Sequence, residues 1–564
     1  MKRKATVVLL VLYVSVLASA AQDPQPPPIR FVNAAVESGI SFTHQNGATP
    51  EKFMPETMSG GGLFFDYDDD GWLDVFLVNG GSFVDPLIQA AATHGLYHNN
   101  GDGTFVDVSA GSGIGLSGYG MGACSADYDN DGDADLYVTA AGPNAFYRNA
   151  GQNGFEDVTG ETGTGVDLWS VSCAFADVDN DGDVDLYVAN YVDFAVDNNK
   201  PCVHNGNTLV YCHPNVYNGV SDTLFRNNGD GTFSDVSRES GIYTTAGKGL
   251  GVVFADYDRD GWIDIYVAND SVPNFLFHNI GEGLFEEVAL FSGVAMSRSG
   301  EPLAGMGTDM ADVDGDGLAD IFVTNLNTQT HNLYTNTGDG IFLDSTFESG
   351  AARATLPFVG FGAAFLDFDN DSDLDIAIAN GDVIDNMDQF RDDVSYPQRN
   401  LLLENNGAGG LTDVGPEAGP GFELEKVSRA LAHGDIDNDG DLDILIVNVG
   451  QTTDLLRNDS PGNGTSIMVR LIGRTGNRDA IGAELTLAWG GQSQVRHVKA
   501  GSSYLAQNDL RVHFGLGDAE RAESLEIRWP GGDVERIEGV ESGHIYTVGE
   551  GEGIIDSVPF SLPR

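Results

Sequence analysis

Seven stretches of this chain follow the pattern D-x-D-x-D-[GS]-x-x-D, beginning at Asp66, Asp127, Asp177, Asp256, Asp312, Asp367 and Asp435. Carboxylates at the first, third, fifth and ninth positions, with a backbone carbonyl at the seventh, would set hard oxygens around one point. That is the donor set of a calcium ion held at about 2.3–2.6 Å. The expected side-chain ligands are Asp66, Asp68, Asp70 and Asp74; Asp127, Asp129, Asp131 and Asp135; Asp177, Asp179, Asp181 and Asp185; Asp256, Asp258, Asp260 and Asp264; Asp312, Asp314, Asp316 and Asp320; Asp367, Asp369, Asp371 and Asp375; and Asp435, Asp437, Asp439 and Asp443. The expected carbonyl ligands belong to Trp72, Asp133, Asp183, Trp262, Leu318, Asp373 and Asp441. Up to seven Ca2+ follow, one per loop. Glycine at the sixth position permits the sharp turn, and Ser372 replaces it in the loop at Asp367, where a strained turn or a weaker site is expected.

An EF-hand loop opens in the same way but requires a glutamate at position 12 and flanking helices. Position 12 here is Leu77, Val138, Val188, Val267, Val323, Ile378 or Ile446, all apolar and most of them β-branched. The loops therefore join strands. Acidic turns that only keep a surface soluble have no need of this alternation, and seven registered copies crowd like charges that repel.

A second unit lies between successive loops, clearest as Asn100 to Val108 and Asn228 to Val236, with variants around Phe155, Phe285, Phe342 and Leu411. It adds a turn and another strand, so each period holds about four strands. After the seventh loop the chain leaves Asn458 without completing a unit, while Phe31 to Ile40 resembles the tail of one, Phe233 to Ile242. Complementary ends of this kind suit a ring whose first strand completes its last sheet. The expected fold is all-β: a seven-bladed β-propeller over 30–460, closed at Phe31 to Ala34, followed by a small β-sandwich-like domain over 464–549 and a tail over 550–564.

The chain has 564 residues, and 28 Lys+Arg against 85 Asp+Glu give a formal charge of −57. Such acidity argues against nucleic acid and anionic lipid as partners. With 41% hydrophobic residues the chain has ample core material and should fold. The charge balance shifts after residue 463, where ten cations nearly match fourteen acids, so the acidity belongs to the repeats. Lys2 to Lys4, an apolar run to Val16 and Ala18-Ser19-Ala20 read as an export signal over 1–21, followed by a Pro-rich leader over 22–29. No later stretch is apolar enough to span a membrane, so a secreted protein, extracellular or periplasmic, is expected. Its four cysteines fit an oxidising compartment. Cys202 and Cys212 are expected to pair, whereas Cys124 and Cys173, on equivalent strands of neighbouring repeats, have the parity to face each other across blades but are read as buried free thiols ahead of that pairing.

These loops resemble FG-GAP/VCBS repeats, the propeller units of integrin α-subunits, over about Phe31 to Asn458. Asn477 to Ala483, Gly501 to Leu505, His513 to Gly517 and Trp529 to Gly532 resemble the ASPIC/UnbV domain. Together they suggest a secreted, bacterial relative of the cartilage acidic protein family. That resemblance implies calcium binding and extracellular interaction and no known reaction. Asn477, Arg478 and Asp479 read on their own as a turn held by internal hydrogen bonds, ahead of a recognition loop.

No metalloprotease helix, nucleophile elbow, zinc cysteine pattern or phosphate loop occurs. His98 and His278 occupy a repeat position filled elsewhere by Arg148, Arg226, Thr335, Glu404 and Arg457, which reads as a tolerant surface slot. Catalytic residues are therefore not assigned, and the oligomeric state is left open. The expected function is a calcium-binding scaffold for adhesion to an extracellular protein or glycan. The competing one is an exported enzyme, for example acting on carbohydrate, with its site in the propeller channel or between the domains.

Overall fold

The computed structural model describes residues 29–115, 118–391 and 394–561. The export signal and the leader up to residue 28 lie outside the described residues. Among the described residues the architecture is all-β with a few short helices.

Seven antiparallel meanders recur as seven sheets, the second and third being joined where Asp167–Trp169 pairs with Ala141–Pro143. In the first, Gly62–Phe65, Asp74–Leu77, Gly95–Asn99 and Phe105–Asp107 lie side by side in chain order. The first strands of the next six are Tyr119–Ala126, Asp167–Ala176, Gly249–Ala255, Thr308–Ala311, Gly360–Leu366 and Ser428–Gly434. The last sheet takes its outer strand from the other end of the chain, with Phe31 opposite Asn458 and Asn33 opposite Leu456. Phe31 is fully buried there, edge-on to Phe422 at 5.3 Å. Each second strand begins with the ninth residue of an Asp loop and continues in a fully buried apolar run such as Asp185–Asn190. Such strands are covered on both faces, which explains why they carry β-branched and aromatic residues without alternation.

After residue 464 two four-stranded sheets pack together. One orders Val512–Gly517, Thr465–Ile472, His544–Gly549 and Gly553–Pro559; the other Gln492–His497, Glu484–Trp489, Arg521–Arg528 and Val534–Glu541. Leu485, Leu487, Leu525, Ile527 and Phe514 form their core, which is continuous with Phe175, Phe254 and Ile265 of the repeats. The expected tail is corrected: Gly553–Pro559 folds back as an edge strand on His544–Gly549.

The segment from Ala500 to Asp509 leaves this C-terminal unit and enters the centre of the seven sheets, meeting the first strand of every one. Ala506 and Gln507 pair in parallel with Gly62 and Leu63. Ser125 N–H donates to Gln507 Oε1 at 2.8 Å, Leu505 N–H to Ser172 Oγ at 3.0 Å and Ala363 N–H to Ser503 Oγ at 3.1 Å. Ser503 N–H donates to the Thr308 carbonyl at 2.7 Å, and Asp509 N–H to that of His433 at 3.0 Å. In the fourth sheet the close approach is steric: a Cβ on Gly251 would lie 2.9 Å from the Ser503 carbonyl oxygen. Gly122 faces the same limit, 2.9 Å from the Leu505 Cα, so the small residues of the inner strands make room for this plug. Tyr504, fully buried, spans the axis and donates its hydroxyl to the Met58 carbonyl at 2.8 Å.

Around Met58 the buried turn Met54–Thr57 packs beneath the hairpin of Cys202–His204 and Thr208–Val210. Tyr211 donates to Glu56 at 3.2 Å, and Asn386 of the sixth repeat donates to the Leu209 carbonyl at 3.0 Å. The Cys202–Cys212 disulfide closes that hairpin. The expectation of free thiols at Cys124 and Cys173 is overturned. Their Cα atoms lie 5.8 Å apart on neighbouring inner strands, and the two are joined as a disulfide between adjacent sheets.

Tyr504→Ala empties a closed site and removes a buried hydrogen bond. It should lower unfolding stability by about 3–5 kcal/mol, read by denaturant titration. A loss below about 1 kcal/mol would show that the plug carries little of the stability.

Candidate metal centres

Each Asp loop is built from backbone hydrogen bonds to its own carboxylates. In the second loop, Asp127 Oδ1 accepts from Asp131 N–H at 3.0 Å and its Oδ2 from Gly132 N–H at 2.8 Å. Asp131 Oδ1 accepts from Asp133 N–H at 3.0 Å, which fixes the seventh residue. The same bonds recur at Trp72, Asp183, Trp262, Leu318, Asp373 and Asp441. The fourth residue takes positive φ in all seven loops, for example Asn130 at 57° and Gly315 at 78°. The sixth is glycine at 86–103° in all but one. Ser372 adopts 89°, a conformation that costs a side chain free energy, so the expected strain is present in the sixth loop.

The ninth aspartate closes the loop. Asp74, Asp135, Asp185, Asp264, Asp320, Asp375 and Asp443 are at most 1% exposed. In each, one oxygen accepts from the second residue of the loop and the other from the last residue of the third strand; Asp135 accepts from Tyr128 N–H at 3.2 Å and Asn149 N–H at 2.7 Å. That partner is an asparagine in every repeat, and its side chain carries a contact that the sequence reading missed. Asn149 Nδ2 donates at 2.7 Å to the carbonyl of Tyr67, second residue of the preceding loop. Asn227, Asn279, Asn336, Asn405 and Asn458 do the same to Tyr128, Val178, Tyr257, Val313 and Phe368 at 2.7–2.8 Å. Asn99 reaches Ile436 of the seventh loop at 2.9 Å. The signal was visible: asparagine is constant at this position in all seven repeats while the residue before it varies.

Donor oxygens of the predicted ligands converge. Carboxylate oxygens of Asp66, Asp68 and Asp70, of Asp127, Asp129 and Asp135, and of Asp177, Asp179 and Asp185 lie within 4.8 Å of one another in each group. Third-position oxygens are left without donors: Asp179 Oδ1, Asp258 Oδ1 and Asp369 Oδ1 are buried and accept no hydrogen bond. Burial, with like charges adding to it, pushes the carboxyls of Asp74 and Asp135 up to about 9 and that of Asp320 up to about 8. A buried, unpartnered, all-oxygen set of this kind fits a hard divalent cation.

The slot read as tolerant surface faces the Asp loops. His98 Nδ1 lies 3.3 Å from Asp68 and 3.4 Å from Asp74; His278 Nδ1 lies 3.5 Å from Asp258 and 3.2 Å from Asp264. Burial raises the third carboxylates Asp179 and Asp369, and the residue in this slot modulates that shift, Arg226 opposing it at Asp179 and Glu404 adding to it at Asp369.

The C-terminal unit sits on these loops. Arg470 pairs with Asp69 of the first loop, Arg259 of the fourth pairs with Glu484 at 2.9 Å, and Arg511 donates to Asn438 of the seventh at 2.7 Å. Asn477 holds an internal turn through Ile481, as expected. Its neighbours dock on the second loop: Arg478 N–H donates to Asn130 Oδ1 at 2.9 Å, and Asp127 N–H donates to Asp479 at 2.8 Å.

Ser372→Gly should relieve the left-handed strain and raise stability by about 1 kcal/mol, measured by thermal or denaturant unfolding. A neutral or destabilising result would show that the sixth turn accommodates its side chain without cost.

The FG-GAP-like repeat family matches residues 66–138, 127–188, 206–267, 256–323 and 312–378, together just over half of the chain, and the ASPIC and UnbV family matches 473–555. Cartilage acidic protein 1 of Homo sapiens is 29% identical over 322 residues, covering 56% of this chain and 45% of that protein. Its Xenopus tropicalis counterpart is 29% identical over 335 residues, 58% and 46% of the two chains. The chain thus aligns with under half the length of these relatives. Among solved structures, an Agrocybe aegerita lectin recognising non-reducing terminal N-acetylglucosamine aligns at TM-score 0.35 and 18% identity over 63% of this chain and 79% of its own. A rhamnogalacturonan lyase of Bacillus licheniformis aligns at TM-score 0.31 and 12% identity over 85% and 89%. These structural likenesses are too distant to carry an argument about function. By its repeats the chain belongs to the FG-GAP-like repeat family, and it carries an ASPIC and UnbV segment behind them.

Proposed function

We propose that this protein is a secreted, calcium-stabilised scaffold, a closed ring of seven blades that presents its rim and inserted loops to an extracellular protein or glycan. The observation that carries the calcium reading is the set of buried third-position oxygens, Asp179, Asp258 and Asp369, left without donors among converging carboxylates. Aspartates at positions one, three, five and nine, with the seventh carbonyl, would hold the ion. When bound, calcium supplies positive charge to each loop and ties its ends together.

Closure of the ring is supported by two contacts between chain ends, Phe31 with Asn458 and Asn99 with Ile436. The scaffold reading is favoured over a channel enzyme by the Ala500 to Asp509 plug, which occupies the axis where a channel site would lie. Two disulfides and relatives named for cartilage support an extracellular setting. Among the described residues no helix is long and apolar enough to cross a membrane. The outer edges of the fourth and fifth sheets expose Ile280, Leu290, Phe291, Leu343 and Phe347, with Phe291 at 83%. That apolar surface is available to a protein partner.

Chelation should lower Tm and open the repeats to protease. A site held at one hundred times its dissociation constant contributes about 2.7 kcal/mol. The pH dependence has a defined sign. In the metal-free fold burial raises all seven ninth aspartates, Asp74 and Asp135 up to about 9, Asp320 up to about 8 and Asp264 up to about 7, against about 4 when unfolded, so the stability gained by protonation is complete below about 4 and lost as pH rises through the folded values. Calcium replaces those protons. The rise in Tm on adding millimolar calcium should therefore widen from pH 5.5 to pH 8, with protons released on binding. An unchanged Tm across that range would remove the calcium reading.

A further inference from the structure

We propose that the linker Asp459 to Gly464 and the residues Phe560 and Ser561 form a lid over the seventh Asp loop, which traps its ion while the other six loops exchange theirs with solvent. This rests on the reading of the loops as calcium sites and concerns how one of them is reached.

The seventh loop differs from the others in its cover. Its fifth-position aspartate, Asp439, is half-buried, whereas Asp70, Asp131, Asp181, Asp260, Asp316 and Asp371 are all exposed. Asp437 in the third position is 4% exposed, and no residue from Asp435 to Asp443 is exposed. Four segments supply the cover. Ser561 N–H donates to the Asn438 carbonyl at 2.6 Å, and Phe560 sits so close that a Cβ on Gly440 would lie 2.5 Å from its ring. From the C-terminal unit Ser466 Oγ donates to the Gly440 carbonyl at 2.7 Å and Arg511 to the Asp435 carbonyl at 2.8 Å. Asn370 of the sixth loop donates to Asp441 at 2.7 Å, and Asn438 itself donates to the Gly71 carbonyl of the first loop at 3.1 Å.

The remaining side faces a cavity of about 510 Å³ that Asp437, Asp439 and Asp441 line together with the linker. That linker is pinned at both ends. Asp459 N–H donates to the Arg30 carbonyl at 2.8 Å and Arg30 N–H to Ser460 Oγ at 2.8 Å, which ties its start to the chain entering Phe31–Asn33. Gly464 N–H donates to the Asp369 carbonyl at 3.1 Å and Asn463 Nδ2 to that of Phe368 at 3.3 Å, which ties its end to the sixth loop. The exposed Pro461 and Gly462 between the anchors, with Gly462 at a φ of 80°, are the span that must lift. An ion held by several carboxylates leaves as water replaces its oxygens, and under this cover that exchange waits for a local opening. When calcium falls, the sheet completed by Phe31–Asn33 is therefore the last to lose its ion.

The full chain is loaded with Ca2+, mixed with excess chelator and desalted at intervals, and the metal still bound is counted by atomic emission. The wild type should release six ions together and one about a hundredfold more slowly. D68N, in the first loop, should keep the slow ion, and D437N should lack it. S460A and F560A, which loosen the lid without changing its charge, should each speed the slow release by about tenfold and leave the other six as they were. Release of all bound ions in one phase, a slow ion that survives D437N, or a slow phase unchanged in both lid variants would overturn the lid. The two lid variants decide the matter if D437N fails to fold. Binding with a single release phase removes this inference and leaves the calcium reading intact, whereas a chain that binds no calcium removes both.

Discussion

The ninth aspartate of each loop is buried to within 1% of completion and gives its two oxygens to backbone N–H groups from different parts of its repeat. One bond holds the loop entrance, the other the end of the third strand, where an asparagine turns its side chain to the preceding repeat. A single carboxylate therefore joins loop, strand and neighbouring sheet. Charge-assisted bonds to backbone amides are among the stronger ones available, and a buried carboxylate that lost them would be costly. The repulsion between this group and three other aspartates is the cost of that arrangement, and it falls where a divalent ion can offset it. Stability of the sheets is thus set by the electrostatic balance within each loop.

The plug ties this balance to the rest of the molecule. The C-terminal unit rests on the loop side of the sheets through Arg470, Arg478, Asp479, Glu484 and Arg511, while its Ala500 to Asp509 segment runs through their centre. Cations are scarce in a chain of formal charge −57, and several of them are spent at this junction. The loops are therefore partly neutralised from above by protein and, on the reading proposed here, from within by metal.

Much of this was legible in the residues. The Asp pattern, the strand-like twelfth residue and the split repeat at the two ends lead directly to loops, meanders and the pairing of Phe31–Asn33 with Asp454–Asn458. Local chemistry writes those features into local sequence. The plug was hidden because Gly501 to Leu505 has no pattern that says where it docks; its site is made by seven strands far apart in the chain. The Cys124–Cys173 bond was missed for a related reason, since the spacing gives parity but not the distance between neighbouring inner strands. His98 and His278 stand in the variable, half-buried slot, and the spacing did not show that it faces the carboxylates of its own loop.

The first and last sheets draw on segments far apart in the chain. Residue 31 lies in the last sheet and residues 506 and 507 in the first, so neither sheet is complete while the polypeptide is still emerging. Contacts of such sequence separation form slowly, because a long loop must close before they contribute. A chain emerging from synthesis would expose unpaired inner strands until its final domain arrived, and the acidity of the repeats would meanwhile keep neighbouring nascent chains apart.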